Sequence, residues 1–206
     1  MKKIYLSLDL DYFNLAEQNC IMEVLETIEQ SGIPYKVVRD HHHLLKYVGH
    51  KKFTHVVNVD WHSDLADDDK GEKPPKLDCG TWGNRVHCRS SAEFWWIYPV
   101  KKCWGAHEGF CHGDKPGHNP FKHKLTKWKH TRAMRVSPKG LIKWLDCLGW
   151  ENIKEIGIAI SPEWTYQEPL DAFAKWLPKM TCMKYRKREW FPSVPHCEGY
   201  RVIRVS

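Results

Sequence analysis

The chain has 206 residues, 42% of them hydrophobic, and a formal net charge of +7. That length fits one domain with a sizeable core, and no apolar run is long enough to span a membrane. The basic balance attracts acidic partners without naming one, and much of the excess falls in two stretches, Lys122 to Arg135 and Lys179 to Arg188.

Residues 3 to 9 are rich in apolar and β-forming types and predict a buried strand that delivers Asp9 and Asp11. The same carboxylates break the apolar segment behind Met1-Lys2-Lys3, so no secretory signal is expected and a cytoplasmic location follows. Leu15, Ile21, Val24, Leu25 and Ile28 lie at helical spacing and predict a helix over Leu15 to Gln30, stopped by Ser31-Gly32. Ile33 to Val38 reads as a short strand delivering Arg39-Asp40-His41-His42-His43, with Leu44, Leu45 and Val48 as a short helix behind it. Phe53 to Val59 is the third strand and runs into Asp60-Trp61-His62-Ser63-Asp64. Strand, helix, strand, helix, strand predicts a parallel α/β sheet.

From Leu65 to about Arg135 the periodicity fades, and Pro, Gly, His, Trp and charged residues dominate. This reads as a loop-rich insert within a single domain covering 1–206, with one buried strand inside it at Phe94-Trp95-Trp96-Ile97-Tyr98. Regularity returns at Ser137-Pro138, an N-cap followed by proline at the first helical position, opening a helix to about Leu148. Ile153 to Ile160 is a core strand ending in Ser161-Pro162-Glu163-Trp164-Thr165. Pro169 to Leu177 predicts a helix, and Tyr200 to Val205 a closing edge strand. The expected fold is α/β, a mostly parallel sheet flanked by helices. Eight cysteines without Cys-x-x-Cys spacing, in a chain expected to stay in a reducing compartment, predict thiols rather than disulfides or a zinc site.

In parallel α/β sheets, ligands gather beyond the carboxyl ends of the strands. Four such ends carry Asp9 with Asp11, His41 with His42, Asp60 with His62 and Asp64, and Glu163. Residues two apart on a strand share a face, so Asp9 converges with Asp11, and Asp60 with His62. Four carboxylates and at least two imidazoles are enough to hold two divalent ions with a bridging carboxylate and a bridging hydroxide. Oxygen and imidazole donors without thiolate favour Mn²⁺.

The same residues carry a family resemblance. Asp60-Trp61-His62-Ser63-Asp64 matches the Asp-x-His-x-Asp motif of the arginase-like ureohydrolases. Ser7-Leu8-Asp9-Leu10-Asp11 is similar to their Ser-x-Asp-x-Asp motif, and Asp40-His41 resembles the Asp-His step of their Gly-Gly-Asp-His-Ser motif. Here the Ser-x-Asp-x-Asp strand stands at the N-terminus, the glycines before Asp40 are missing, and Asn14-Leu15 replaces the family's Asp-Pro. With its Ser-Pro-Glu-Trp-Thr segment and short length, the pattern looks like the compact peptide arginases of ribosomal-peptide maturation. The resemblance implies an arginase/deacetylase-like fold with rearranged motif order, holding two Mn²⁺ ions. It implies that Asp9 and Asp60 bridge the ions, that His41 and Asp64 complete one site, and that His62 and Asp11 complete the other. It also implies hydrolysis of arginine side chains in a precursor peptide to ornithine and urea.

That chemistry assigns further roles. The leaving amine needs a proton, and Asp64 is the expected first relay. A guanidinium substrate calls for a bidentate carboxylate, and Glu163 at its strand end is the expected partner. His87, in Gly83-Asn84-Arg85-Val86-His87, resembles an Asn-x-His step in arginases and is expected to shuttle protons, with His107 and His112 as alternatives. Trp82 is expected to wall the substrate pocket, with Trp95 and Trp96 as further candidates, while ordinary core packing is expected for most of the 11 tryptophans. The basic stretches are the expected grip on an acidic leader segment of the precursor peptide.

Other readings compete. A phosphohydrolase of the haloacid dehalogenase type would use Asp9 as nucleophile and Asp11 as acid/base. It leaves Asp60, His62 and Asp64 without a role, and it expects Thr or Val where Phe13 stands. A metal-dependent deacylase on the same fold would keep the metals without needing a carboxylate for a guanidinium. A basic, Trp-rich nucleic-acid-binding module would leave acidic strand ends facing phosphate, which disfavours nucleic acid as a partner.

Overall fold

In Ile4-Tyr5-Leu6-Ser7-Leu8-Asp9, strand alternation sends Ile4, Leu6 and Leu8 to one face and Tyr5, Ser7 and Asp9 to the other. A computed structural model of the chain, describing residues 2–48, 53–65, 77, 80–89, 91–99 and 131–177, uses both faces. This strand, β1 (Ile4–Asp9), is followed by α1 (Gln18–Gln30), β2 (Tyr35–Val38), α2 (Leu45–Val48) and β3 (His55–Val59). Then come α3 (Trp82–Arg89), β4 (Glu93–Tyr98), β5 (Thr131–Arg135), α4 (Leu141–Leu148), β6 (Ile153–Ala159) and α5 (Gln167–Trp176). The six strands form one sheet in the order β2-β6-β1-β3-β4-β5, and every neighbouring pair is parallel. The parallel α/β reading holds.

From β1 the chain goes to β2 on one side of it and then returns to β3 on the other. The carboxyl-end crevice between β1 and β3 is therefore where the strand order reverses, the usual ligand position in open parallel sheets. One face of the sheet carries the larger core. Ile4, Leu6, Leu8, Val57, Ile156 and Ile158 lie in one buried apolar cluster with Val24 and Leu25 of α1, Leu141 and Leu145 of α4, and Phe173 and Trp176 of α5. Each fully buried side chain of this kind is worth about 1.5–3 kcal/mol. On the other face Tyr5, Val56, Phe94 and Trp96 pack with Leu45 and Val48 of α2 and Trp82 and Val86 of α3. Polar residues of this second face gather at the carboxyl ends.

Several elements depart from the sequence expectation. Helix α1 begins at Gln18, and Leu15, expected on its apolar face, is 69% exposed. The side chain of Asn14 ties this entry turn elsewhere: Nδ2 donates to the Trp164 carbonyl at 2.9 Å, and Oδ1 accepts from the Tyr166 N–H at 2.7 Å. Ser137 and Pro138 open a 3₁₀ turn (Pro138–Gly140) that leads into α4, and the Ser137 hydroxyl makes no capping bond. Gly149 closes α4 at φ 86°, its N–H donating to the Leu145 and Asp146 carbonyls.

The region 65–135 contributes α3, β4 and β5, so its described part completes one side of the sheet rather than forming loop alone. Thr131-Arg132-Ala133-Met134-Arg135 is an edge strand with Arg132, Met134 and Arg135 exposed, and it lacks the apolar alternation that would have announced it. Residues Tyr200 to Val205, the stretch Lys179 to Arg188 and the cysteines Cys79, Cys103 and Cys111 lie outside the described residues. Cys20 and Cys147 are free thiols. Among the described residues no helix is long and apolar enough to cross a membrane.

Candidate metal centre

Strands β1 and β3 run side by side with Leu8 opposite Val59, which brings the next residues of each, Asp9 and Asp60, together at the crevice. After Asp9 the chain tightens into a 3₁₀ turn (Leu10–Phe13), whose Asp11 N–H donates to Asp9 Oδ1 at 3.2 Å. Beyond β2, Asp40 opens a second 3₁₀ turn (His41–Leu44). With three residues per turn, His41 and Leu44 point the same way, and both are buried against the sheet. Gly157 on β6 makes room for this turn, since a Cβ there would meet the Tyr5 hydroxyl and Leu44 Cδ2, the latter at 2.7 Å.

The result is a convergence on one nitrogen. His41 Nδ1 lies 2.9 Å from Asp9 Oδ2, 3.0 Å from Asp60 Oδ2 and 2.9 Å from Asp64 Oδ2. A ring nitrogen carries at most one proton and can serve one of these oxygens, and no aligned hydrogen bond satisfies it. A buried imidazole nitrogen facing three carboxylates without a bond is the arrangement expected of a cation's donors. The other nitrogen, Nε2, lies 2.6 Å from Ser7 Oγ. When Nε2 carries the proton and donates it to Ser7, Nδ1 is left as a lone-pair donor.

A second group adjoins the first. His62 Nδ1 lies 2.8 Å from Asp11 Oδ2 and 3.9 Å from Asp60 Oδ1. One donor atom from each of Asp9, His41 and Asp60 falls within 4.8 Å of the others, and the same holds for Asp11, Asp60 and His62. These buried clusters could bind a metal ion, and Asp60 belongs to both.

Each carboxylate is held by a neighbour. Ser161 Oγ donates to Asp9 Oδ2 at 2.6 Å, Asn58 Nδ2 to Asp60 Oδ2 at 3.1 Å, and the Trp82 indole N–H to Asp64 Oδ2 at 2.5 Å. The Trp61 backbone N–H donates to Asp11 Oδ1 at 3.1 Å, and the His62 N–H to Asp60 Oδ1 at 2.7 Å. Asp64 sits at φ 54°, a left-handed conformation that aspartate tolerates better than most residues. Its carbonyl accepts the Gly83 N–H at 3.0 Å, and a Cβ on Gly83 would stand 2.8 Å from that oxygen. Only glycine lets α3 approach this closely.

Burial and mutual repulsion shape the titration. Burial first, then the charges of Asp9 and Asp60, push the Asp11 carboxyl well above the usual range. Burial and Asp64 raise Asp60 to about 7. Burial opposes charge on both imidazoles, but the carboxylates win. His41 is raised well above its ordinary value by Asp9 and Asp64, and His62 to about 10 by Asp11, Asp60 and Asp64. Without a cation, the pocket retains protons to offset its own carboxylates.

Asp9, Asp11, His41, Asp60, His62 and Asp64 are thus brought together, while Glu163 lies outside the two clusters. Its side chain is 73% exposed and 3.9 Å from Arg39 Nη2. Trp82, expected to wall the pocket, is instead fully buried, with its ring 4.5 Å from that of His41 and its N–H spent on Asp64. It supports the donors from behind. His87 has its backbone on α3, but its side chain lies outside the described residues, as do His107 and His112. Sequence reading gave no role to Ser7, Asn58 or Ser161, nor to Trp164, an exposed indole 5.5 Å from the His62 ring. Comparison with protein-family models, with curated proteins and with solved structures finds no match for this chain.

Proposed function

We propose that the chain is a manganese-dependent peptide arginase, converting arginine side chains of a ribosomally made precursor peptide to ornithine with release of urea. The observation that carries this reading is the convergence of His41 Nδ1 on Asp9, Asp60 and Asp64 beside the Asp11–His62 pair. Four carboxylates there balance two divalent cations in charge, and two like charges 4 Å apart otherwise cost about 4 kcal/mol at an effective dielectric of 20. Asp9 and Asp60 would be the shared donors, with His41 and Asp64 holding one ion and His62 and Asp11 the other, on an arginase/deacetylase-like fold with rearranged motif order. Bound manganese supplies Lewis acidity and a water of lowered pKa.

The chain's own groups do the rest. Asp64 has one oxygen at the convergence point, where it takes the proton from an attacking water and passes it to the leaving amine. Glu163 lies in the chain between Ser161, which bonds Asp9, and Trp164, which meets His62, and its carboxylate is exposed. It receives the guanidinium in bidentate fashion. The chain's basic excess suits an acidic leader. Eight cysteines suit action in the reducing cytoplasm.

A phosphohydrolase using Asp9 and Asp11 is disfavoured, because it leaves the convergence of His41 Nδ1 on Asp60 and Asp64 without a role. The test is incubation with Mn²⁺ and arginine-containing peptides, read by peptide mass and urea. Urea with conversion of arginine to ornithine is expected, and Glu163→Gln should raise KM far more than it lowers metal content. No urea from any peptide or from free arginine would overturn the reading, and turnover of acyl-lysine instead would select a deacylase.

A further inference from the structure

We propose that Asp40, His42 and His43 form a separate surface site for a zinc-class transition ion, on the outer side of the turn that carries His41. One donor atom from each of the three residues lies within 4.8 Å of the others. His43 Nδ1 is 3.5 Å from Asp40 Oδ2, and the His42 and His43 rings are 4.3 Å apart, tilted by 46°. The 3₁₀ geometry produces this division: His41 and Leu44 turn inward, leaving His42 half-buried and His43 exposed. Asp40 stands at the N-cap of that turn, yet its carboxylate makes no capping bond. Its other oxygen, Oδ1, has Arg39 Nε at 3.8 Å, so Oδ2 is the one turned to the histidines.

Two imidazoles and one carboxylate make a three-ligand set of the kind zinc accepts, with water as the fourth ligand. Nitrogen-rich donors favour Zn²⁺, Ni²⁺ or Cu²⁺ over Mn²⁺, in contrast to the oxygen-rich cluster beneath. An ion there ties Asp40 at the N-cap to His42 and His43 within the turn, and so clips the loop that aims His41 at its carboxylates. This inference does not depend on the arginase reading.

The test is metal stoichiometry of the full chain with Zn²⁺, and visible absorption with Co²⁺ as probe. The double variant His42→Gln, His43→Gln should bind one Zn²⁺ fewer per chain than the wild type. Asp9→Asn, which weakens the buried cluster, should still take up Co²⁺ with four-coordinate absorption bands. Those bands should lose intensity when Asp9→Asn is combined with the two histidine replacements. Equal zinc content in wild type and double variant, or Co²⁺ bands in Asp9→Asn whose intensity the two histidine replacements leave unchanged, overturns the site.

Discussion

Ser161 donates its hydroxyl to Oδ2 of Asp9 over 2.6 Å, joining positions 152 residues apart at the ends of β6 and β1. Ser161 does so from φ 45°, a left-handed conformation costly for a residue with a Cβ. The Trp164 and Thr165 N–H groups pin it by donating to the Ser161 carbonyl at 2.9 and 3.0 Å. Ser161→Ala is expected to weaken Mn²⁺ binding about 10- to 100-fold, the usual loss when a partner of a metal ligand is removed. Ser161→Gly loses the same bond but relieves the backbone, and should be about 1 kcal/mol more stable than Ser161→Ala. Metal titration and urea denaturation check the two halves. Unchanged metal affinity in both variants would show that the bond is idle.

Trp82 offers a test from the opposite side of the pocket. Its ring packs on His41 and Phe94, and its N–H holds Asp64. Trp82→Phe keeps an aromatic ring but removes the donor, leaving Asp64 Oδ2 free to repel its neighbours. Metal affinity should fall about 10-fold or more. The unfolding free energy of the metal-free protein should fall by about 1–3 kcal/mol, as for other losses of a buried hydrogen bond. Calorimetric metal titration, with chemical unfolding in EDTA, separates the two effects.

The candidate ligands were legible because parallel sheets bind at their carboxyl ends, although Asp11 reaches its place through a 3₁₀ turn and His62 from beyond β3 rather than by strand alternation. Asp9 and Asp11, and Asp60 with His62, are spaced two apart at ends that the structure places side by side. The supporting residues were readable by strand alternation carried one step back. Ser7 stands two before Asp9 and Asn58 two before Asp60, on the face that meets the metal centre. Ser161 gave no such hint, since its bond to Asp9 depends on β6 sliding between β1 and β2. That crossover is a property of the whole sheet. Strand β5 escaped because its exposed Arg132, Met134 and Arg135 leave only the half-buried Ala133 to mark a core face.

Two glycines on this chain should respond oppositely to alanine. A Cβ on Gly83 would stand 2.8 Å from the Asp64 carbonyl and 3.0 Å from Phe94 Cζ, and the carbonyl cannot yield without moving a ligand. Helix propensity gains about 1 kcal/mol from the change, whereas overpacking costs about 1–3. Gly83→Ala should therefore lose stability, with weaker metal binding. At Gly140 the nearest atom is the Ser137 hydroxyl at 3.2 Å, on a right-handed backbone. Gly140→Ala should be neutral or up to about 1 kcal/mol stabilising. Denaturant midpoints of the two variants decide it, and equal losses would contradict the close approach at Gly83.

The proton load of the pocket predicts how metal and pH act together. His62 is held up to about 10 and His41 well above its ordinary value, with burial opposed and outweighed by the surrounding carboxylates. A raised histidine pKa contributes stability that is full below about pH 6.5 and lost as pH climbs to the folded value. Asp60, raised to about 7 chiefly by burial, acts in the same direction. Its deprotonation penalises the folded state progressively from about pH 4 to pH 7. Metal-free protein should therefore melt at lower temperature as pH rises from about 6 to about 8.5. Cation binding displaces these protons, so the Mn²⁺-induced rise in Tm should grow over the same interval. Thermal unfolding in EDTA and in excess Mn²⁺ across that range measures both slopes. A Mn²⁺ increment independent of pH would mean that the imidazoles are not proton-loaded and that the ion binds elsewhere.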